Sequence, residues 1–167
     1  MDAERLKALA FHYAARFATT QTKLARYLER KLSRADWSGA SPPDIPSIVA
    51  RMAELKLVDD EAFATMRTEG LRRRGMGDRR IRQTLWQAGL SEDLVNAAVR
   101  VDEGQNYEQA LASAHVFARR KRIGPYAEAR PDPAVRKRQM AMMCRAGHDF
   151  RIACEILEPN VEFVQDD

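Results

Sequence analysis

The sequence predicts an all-α protein, an elongated right-handed array of three tandem three-helix repeats. Three observations lead there. Apolar residues recur at helical spacing almost throughout, and no convincing strand appears; Leu55–Val58 is too short and sits between helices. Glycines, prolines and capping residues cut the chain into nine short helices. One pattern also occurs twice. Leu85-Trp86-Gln87-Ala88-Gly89-Leu90-Ser91 leads into Leu94, Ala98 and Val99, and 58 residues on, Met143-Cys144-Arg145-Ala146-Gly147-His148-Asp149 leads into Ile152, Ile156 and Leu157. Each copy reads as a helix, a glycine stop, a Ser or Asp cap and a second helix. Tandem units of this kind build extended binding surfaces rather than closed pockets.

The elements follow in order. Leu6, Leu9, Ala10, Tyr13 and Phe17 mark the first helix, and Thr19 or Thr20 caps a second that carries Leu24, Tyr27 and Leu28. Trp37, Gly39 and Ser41-Pro42-Pro43 form a loop, with Trp37 as a cover for the first core. Ile45, Ile48, Val49, Met52 and Leu55 stripe the third helix, where Pro46 is tolerable because first-turn amides are unpaired anyway. Asp59-Asp60-Glu61 starts the fourth at the positive end of its dipole, Phe63, Met66 and Leu71 face inward, and Arg72–Arg74 precede the stops Gly75 and Gly77. Asp78 caps the fifth helix, with Ile81 and Leu85 inward, and Ser91 caps the sixth, which Gly104 ends. Tyr107, Leu111, Ala114 and Ala118 stripe the seventh, and Arg119-Arg120-Lys121-Arg122 closes it before Gly124-Pro125. Asp132-Pro133 opens the eighth helix, which runs to Gly147; the ninth runs from Asp149 to about Glu158, before Pro159. The repeats are expected at 1–58, 59–104 and 105–159, with an acidic tail over 160–167.

With 167 residues, 45% apolar and 31% charged, and a mean hydropathy of −0.51, the chain suits a folded protein with much exposed surface. No apolar run approaches a membrane span, and Asp2 and Glu4 argue against a secretion leader. Cys144 and Cys154 read as reduced core thiols of a cytoplasmic protein.

The net charge of +4 hides segregation. Residues 1–66 come to +1, 67–82 to +5, 83–118 to −4, 119–138 to +6 and the remainder to −4. Two basic blocks separated by acidic stretches point to a polyanion or an acidic partner; the plain alternative is solvated helix faces. At 100° per residue, Arg72 lies opposite Phe63 and is expected in solvent, whereas Arg74 falls over the apolar stripe and pairs with terminal carbonyls. Arg79 points away from Ile81, Arg80 and Arg82 flank the apolar face, and Arg119 and Arg120 point away from Tyr107. A guanidinium fork bonds two phosphate or carboxylate oxygens at once. Trp86 leans about 140° from Ile81; it either stacks on a base or anchors a protein contact, or is covered by a neighbouring helix or by Arg82.

Signatures of catalysis are missing. There is no phosphate loop, no Gly-x-Ser-x-Gly and no His-Glu-x-x-His. Cys144, His148 and Cys154 match no standard zinc spacing and read as core thiols and an exposed loop histidine. No cofactor, metal or enzymatic activity is expected, and Asp59-Asp60-Glu61 reads as capping rather than a metal cluster.

Leu57-Val58-Asp59-Asp60-Glu61-Ala62-Phe63-Ala64, followed by Gly75-x-Gly77-x-Arg79-Arg80-Ile81-Arg82-x-x-Leu85-x-x-x-Gly89-Leu90, resembles the RecX family, whose members regulate the bacterial recombinase RecA. The resemblance covers most of the chain and is strongest from Leu57 to Val99. It departs at Thr20-Gln21-Thr22-Lys23-Leu24, where Lys23 stands in place of an acid, and at Arg145-Ala146-Gly147-His148, where an Arg-Gly-aromatic turn is usual. The resemblance implies a curved modular protein in the groove of the RecA–DNA filament. There it would bridge subunits, hinder ATP turnover and strand exchange, and compete with the repressor cleaved in the DNA-damage response. The contact surface expected on that basis comprises Arg72, Arg73, Arg79, Arg80, Arg82, Arg119, Arg120, Lys121, Arg122, Arg136, Lys137 and Arg138. Its partners would be the RecA nucleoprotein filament and single- or double-stranded DNA, with the protein a monomer. A free-standing, sequence-tolerant DNA-binding helical protein would use the same arginines.

Overall fold

A computed structural model describes residues 1–100, 103–129 and 131–157, with backbone alone at 103–105. Among these residues every regular element is helical: α1 (Ala3–Arg16), α2 (Gln21–Leu32), α3 (Ile45–Glu54), α4 (Asp60–Arg73), α5 (Asp78–Gln87), α6 (Glu92–Val99), α7 (Glu103–Lys121), a short 3-10 turn (Gly124–Tyr126), α8 (Pro133–Arg145) and α9 (Phe150–Leu157). The expected acidic tail and the end of the ninth helix at Glu158 lie outside the described residues.

Capping chemistry sets these boundaries. Side-chain oxygens of Asp2, Thr20, Asp44, Asp59 and Asp132 accept the backbone amides of Arg5, Lys23, Ser47, Ala62 and Val135 at 2.8 to 3.1 Å, each satisfying a donor the helix leaves orphaned. Five of the C-terminal ends share one device. After α4 the amide of Gly75 donates to Arg72 O and that of Met76 to Leu71 O. Gly89 and Leu90 do the same after α5, and Gly147 and His148 after α8. This is the Schellman arrangement, and its left-handed residue is the glycine stop of the sequence. After α3 and α7 the same place is taken by Lys56 and Arg122, both at positive φ.

Contacts divide the chain into two compact units, residues 1–66 with 85–95, and 67–84 with 96–167. In the first, α1, α2 and α3 close over Leu6, Ala10, Leu24, Leu28, Ile48, Val49 and Met52, and Trp37 packs on this core while its indole donates to Ser41 O. In the second, α7, α8 and α9 close over Ala114, Phe117, Ala118, Met143, Ile152 and Ile156. Met66, Tyr107 and Phe17, expected inward, are exposed. Phe17 has left α1 for an extended conformation, and Tyr107, near the start of α7, sends its hydroxyl to the Glu155 carboxylate. In α6 it is Val95 and Val99 that are fully buried, rather than Leu94 and Ala98.

The sequence echo marks two sockets. In the first unit the hydroxyls of Thr20 and Thr22 donate to Ala88 O (2.6 Å) and Gly89 O (2.9 Å), so the start of α2 grips the α5–α6 turn. In the second, the amides of Gly77 and Arg79 donate to Ala146 O (3.0 Å) and Gly147 O (3.2 Å), so the start of α5 grips the α8–α9 turn. The approach is close: a Cβ on Gly77 would lie 2.2 Å from the Gly147 carbonyl carbon, and one on Gly147 would lie 2.4 Å from Arg80 N.

Candidate functional site

All twelve basic residues expected at the contact surface fall in the second unit. They sit at four helix ends. Arg72 and Arg73 close α4, Arg79, Arg80 and Arg82 open α5, Arg119–Arg122 close α7, and Arg136–Arg138 belong to the first turns of α8.

Packing brings the first three groups together. Arg120 donates to Arg74 O at 3.0 Å, which joins the end of α7 to the end of α4. The turn after α4 leads directly into α5, whose first residues are seated on the α8–α9 turn. The α8 group lies apart along its own helix, roughly 15 Å before that turn at 1.5 Å per residue.

Within this set the side chains divide by role. Arg72 is corrected from a solvent-facing residue to a structural one. Only 17% exposed, its guanidinium donates to Val99 O at 2.9 Å, bonds the Gln109 amide oxygen and lies 3.4 Å from the Asp78 carboxylate. The side of α4 opposite Phe63 is covered from a different direction, so a single helix's stripe misjudges it. Arg82 is likewise half-buried and bonds the Asn96 side chain. Arg119 lies over the Tyr126 ring, 5.2 Å from its centroid, and Arg136 is half-buried. Arg79, Arg80, Lys121, Lys137 and Arg138 are exposed; Arg80 reaches no further than Gln83, at 3.0 Å. Arg73 and Arg122 are exposed with loose carboxylate partners, Glu69 at 3.7 Å and Glu128 at 3.6 Å, distances and exposures at which an ion pair is readily exchanged for another anion. Arg74, expected to pair through its side chain, contributes its carbonyl instead.

Arg79 and Arg82 edge a pocket of about 400 Å³, with Asp78, His148, Asp149 and Phe150 among its walls. Phe150, which the sequence did not single out, is 62% exposed there; an apolar first residue directly behind a capping Asp was its signal. His148 is corrected from an exposed loop residue to a buried one. It is 4% exposed, with Nε2 3.0 Å from Gly75 O and its ring against Phe117, and burial pushes its pKa below the usual histidine value. Neither Cys144 nor Cys154 is in a disulfide, and among the described residues no three His, Cys, Asp or Glu side chains come together as metal ligands do. No described helix is long and apolar enough to cross a membrane. Trp86, for which the sequence left both exposure and cover open, is half exposed in the first unit.

Comparison with known proteins converges on one family. The model of the RecX second three-helix domain matches residues 59–99. The regulatory protein RecX of Myxococcus xanthus is 32% identical over 164 residues, which span 93% of this chain and 85% of that protein. The regulatory protein RecX of Agrobacterium fabrum is 26% identical over 112 residues, spanning 67% of this chain and 58% of that one. The crystal structure of RecX from Lactobacillus salivarius superposes with a TM-score of 0.67 at 14% identity over 94% of this chain and 95% of that one, which shows a shared helical-repeat fold. A second crystal structure, of regulatory protein RecX, gives the same score over 95% of this chain and 74% of that one. The match to the Myxococcus protein over 93% of this chain, together with the middle-repeat match, establishes that this chain belongs to the RecX family.

Proposed function

We propose that this protein regulates RecA by docking on the RecA–DNA filament, with the basic helix ends of the second unit as its contact surface. Family membership carries the reading. Its physical support is that the contact residues share one compact unit and that Arg73, Arg79, Arg80, Lys121, Lys137 and Arg138 present their charge to solvent. Arg72 is removed from the set, and Arg82 acts at most from the pocket edge.

Nothing in this reading asks the chain for chemistry. RecA turns over the nucleotide in the bacterial cytoplasm. The regulator, bound in the filament groove as a monomer, changes that activity only by binding one filament state more tightly than another, hindering ATP turnover and strand exchange and displacing other groove ligands. Outward guanidinium groups suit acidic RecA side chains and DNA phosphates alike.

The test is RecA-dependent ATP hydrolysis on single-stranded DNA with this protein titrated in. Hydrolysis is expected to slow. Arg79→Glu with Arg80→Glu should raise the concentration for half effect at least about ten-fold, while helicity and melting temperature stay near the parent because exposed charges contribute little to stability. Hydrolysis indifferent to the parent protein would end this reading, and binding to RecA-coated DNA no tighter than to bare DNA would favour a free-standing DNA-binding protein.

A further inference from the structure

The first unit has a net charge of −1 by sequence, against +5 for the second, yet it holds a concentrated basic site of its own. Lys23, Arg26 and Arg30 occupy positions i, i+3 and i+7 of α2, within about 60° of one another around the helix. They line an open groove of about 490 Å³ with Tyr13, Phe17 and Gln87, and no carboxylate is among its lining residues. Lys23 also lies 4.8 Å from the Phe63 ring centroid. Arg26 and Arg30 make no ion pair among the described residues.

Beside these cations runs a short ladder of rings. Tyr27 stacks on Tyr13 with centroids 4.1 Å apart and planes 17° apart, and Phe17 follows at 5.2 Å from Tyr13. The ladder ends on an uncovered rung: Phe17 is 49% exposed, with the Arg16 guanidinium 5.7 Å from its centroid. A helix of this length gains nothing in its own core from an aromatic ring held in water at its exit, next to three converging positive charges.

We propose that this groove binds single-stranded nucleic acid, with a base stacked on Phe17 and the phosphates of the same strand on Lys23, Arg26 and Arg30. The combination selects the ligand. A carboxylate-bearing protein surface would satisfy the cations and leave the ring bare. A duplex would offer phosphates but keep its base faces stacked on each other. Only an unpaired strand brings an anionic backbone and a free aromatic face together, and base–aromatic stacking of this kind tolerates any sequence. Its residues are distinct from those proposed for filament docking, and the site stands or falls without RecA.

The experiment is fluorescence anisotropy of the whole protein with a labelled oligothymidylate, a duplex, an abasic oligomer of equal length and a polyglutamate peptide, in the absence of RecA. It is run in both the parent and the Arg79→Glu/Arg80→Glu chain, so that loss at the second unit is read separately. Arg26→Gln with Arg30→Gln should weaken oligothymidylate binding about ten-fold and flatten the log–log salt slope by about 1.4, since each single-strand phosphate contributes roughly 0.7. Phe17→Ala should weaken oligothymidylate at least about five-fold and leave the abasic oligomer unaffected. Unchanged melting curves show that the variants fold. The inference is overturned if these variants bind oligothymidylate as the parent does, if Phe17→Ala affects abasic and base-bearing strands alike, or if the parent prefers polyglutamate or duplex.

Discussion

Arg72 and Arg79 carry the same side chain on consecutive helices and do different work. Arg72 holds Val99 O, Gln109 and Asp78 from a half-buried position, whereas Arg79 is exposed. Arg72→Ala strands the Val99 carbonyl and is expected to lower the unfolding free energy by about 2 kcal/mol. Arg79→Ala should change it by less than about 0.5 kcal/mol. Urea denaturation followed by circular dichroism measures both, and equal effects would mean the division of roles is mistaken. His148 makes a second residue-scale prediction. Its pKa is depressed chiefly by burial, against the opposing pull of Gly75 O and Asp78. The unfolded chain therefore binds more protons than the folded one as pH falls through the ordinary histidine value of about 6.5. Stability should be full above that pH and fall between it and the lower folded-state value. His148→Gln, which keeps a donor for Gly75 O but does not titrate, should flatten the melting temperature between pH 7 and 5.5. A parent whose melting point rises on acidification over that range would contradict the assignment. Neither residue was readable from spacing. An angular reading knows only the stripe of its own helix, and both Arg72 and His148 are covered by segments distant in sequence.

At the scale of elements, helix starts and stops were legible because they are local chemistry: a short oxygen-bearing side chain before the first turn, a glycine able to turn left-handed after the last. What the glycines press against was not legible. Gly147 adopts φ +93 with its Cα side against Arg80 N, so Gly147→Ala combines left-handed strain with a backbone clash, and it should destabilise by more than about 2 kcal/mol. Gly70, inside α4, has open space; the nearest atom to an added Cβ is the Arg73 guanidinium at 3.9 Å. Gly70→Ala should therefore stabilise by about 0.5 to 1 kcal/mol. Paired chemical denaturation of the two variants checks the sign of each. Destabilisation by Gly70→Ala would place an unseen neighbour there.

At the scale of the whole molecule, charge counted along the chain located the basic helix ends of the second unit and passed over the groove of the first. Block counting works where cations are contiguous, as in Arg119–Arg122, and fails where acids elsewhere in the same block offset them, as Asp44, Glu54 and Asp59-Asp60-Glu61 offset the basic helix α2. The spacing of Lys23, Arg26 and Arg30 was the signal available. If both sites meet phosphates, binding to bare single strands should fall steeply with salt, and only part of that slope should vanish with either set of substitutions. A slope abolished by Arg79→Glu/Arg80→Glu alone would leave the first-unit groove without a role.

The two joints take their donors from equivalent places. On α2 these are the hydroxyls of Thr20, just before the helix, and of Thr22, its second residue; on α5 the amides of Gly77 and Arg79 stand at the same two places. Anyone moving either joint into another protein would have to carry that pair of donors along, whatever else of the helix is changed.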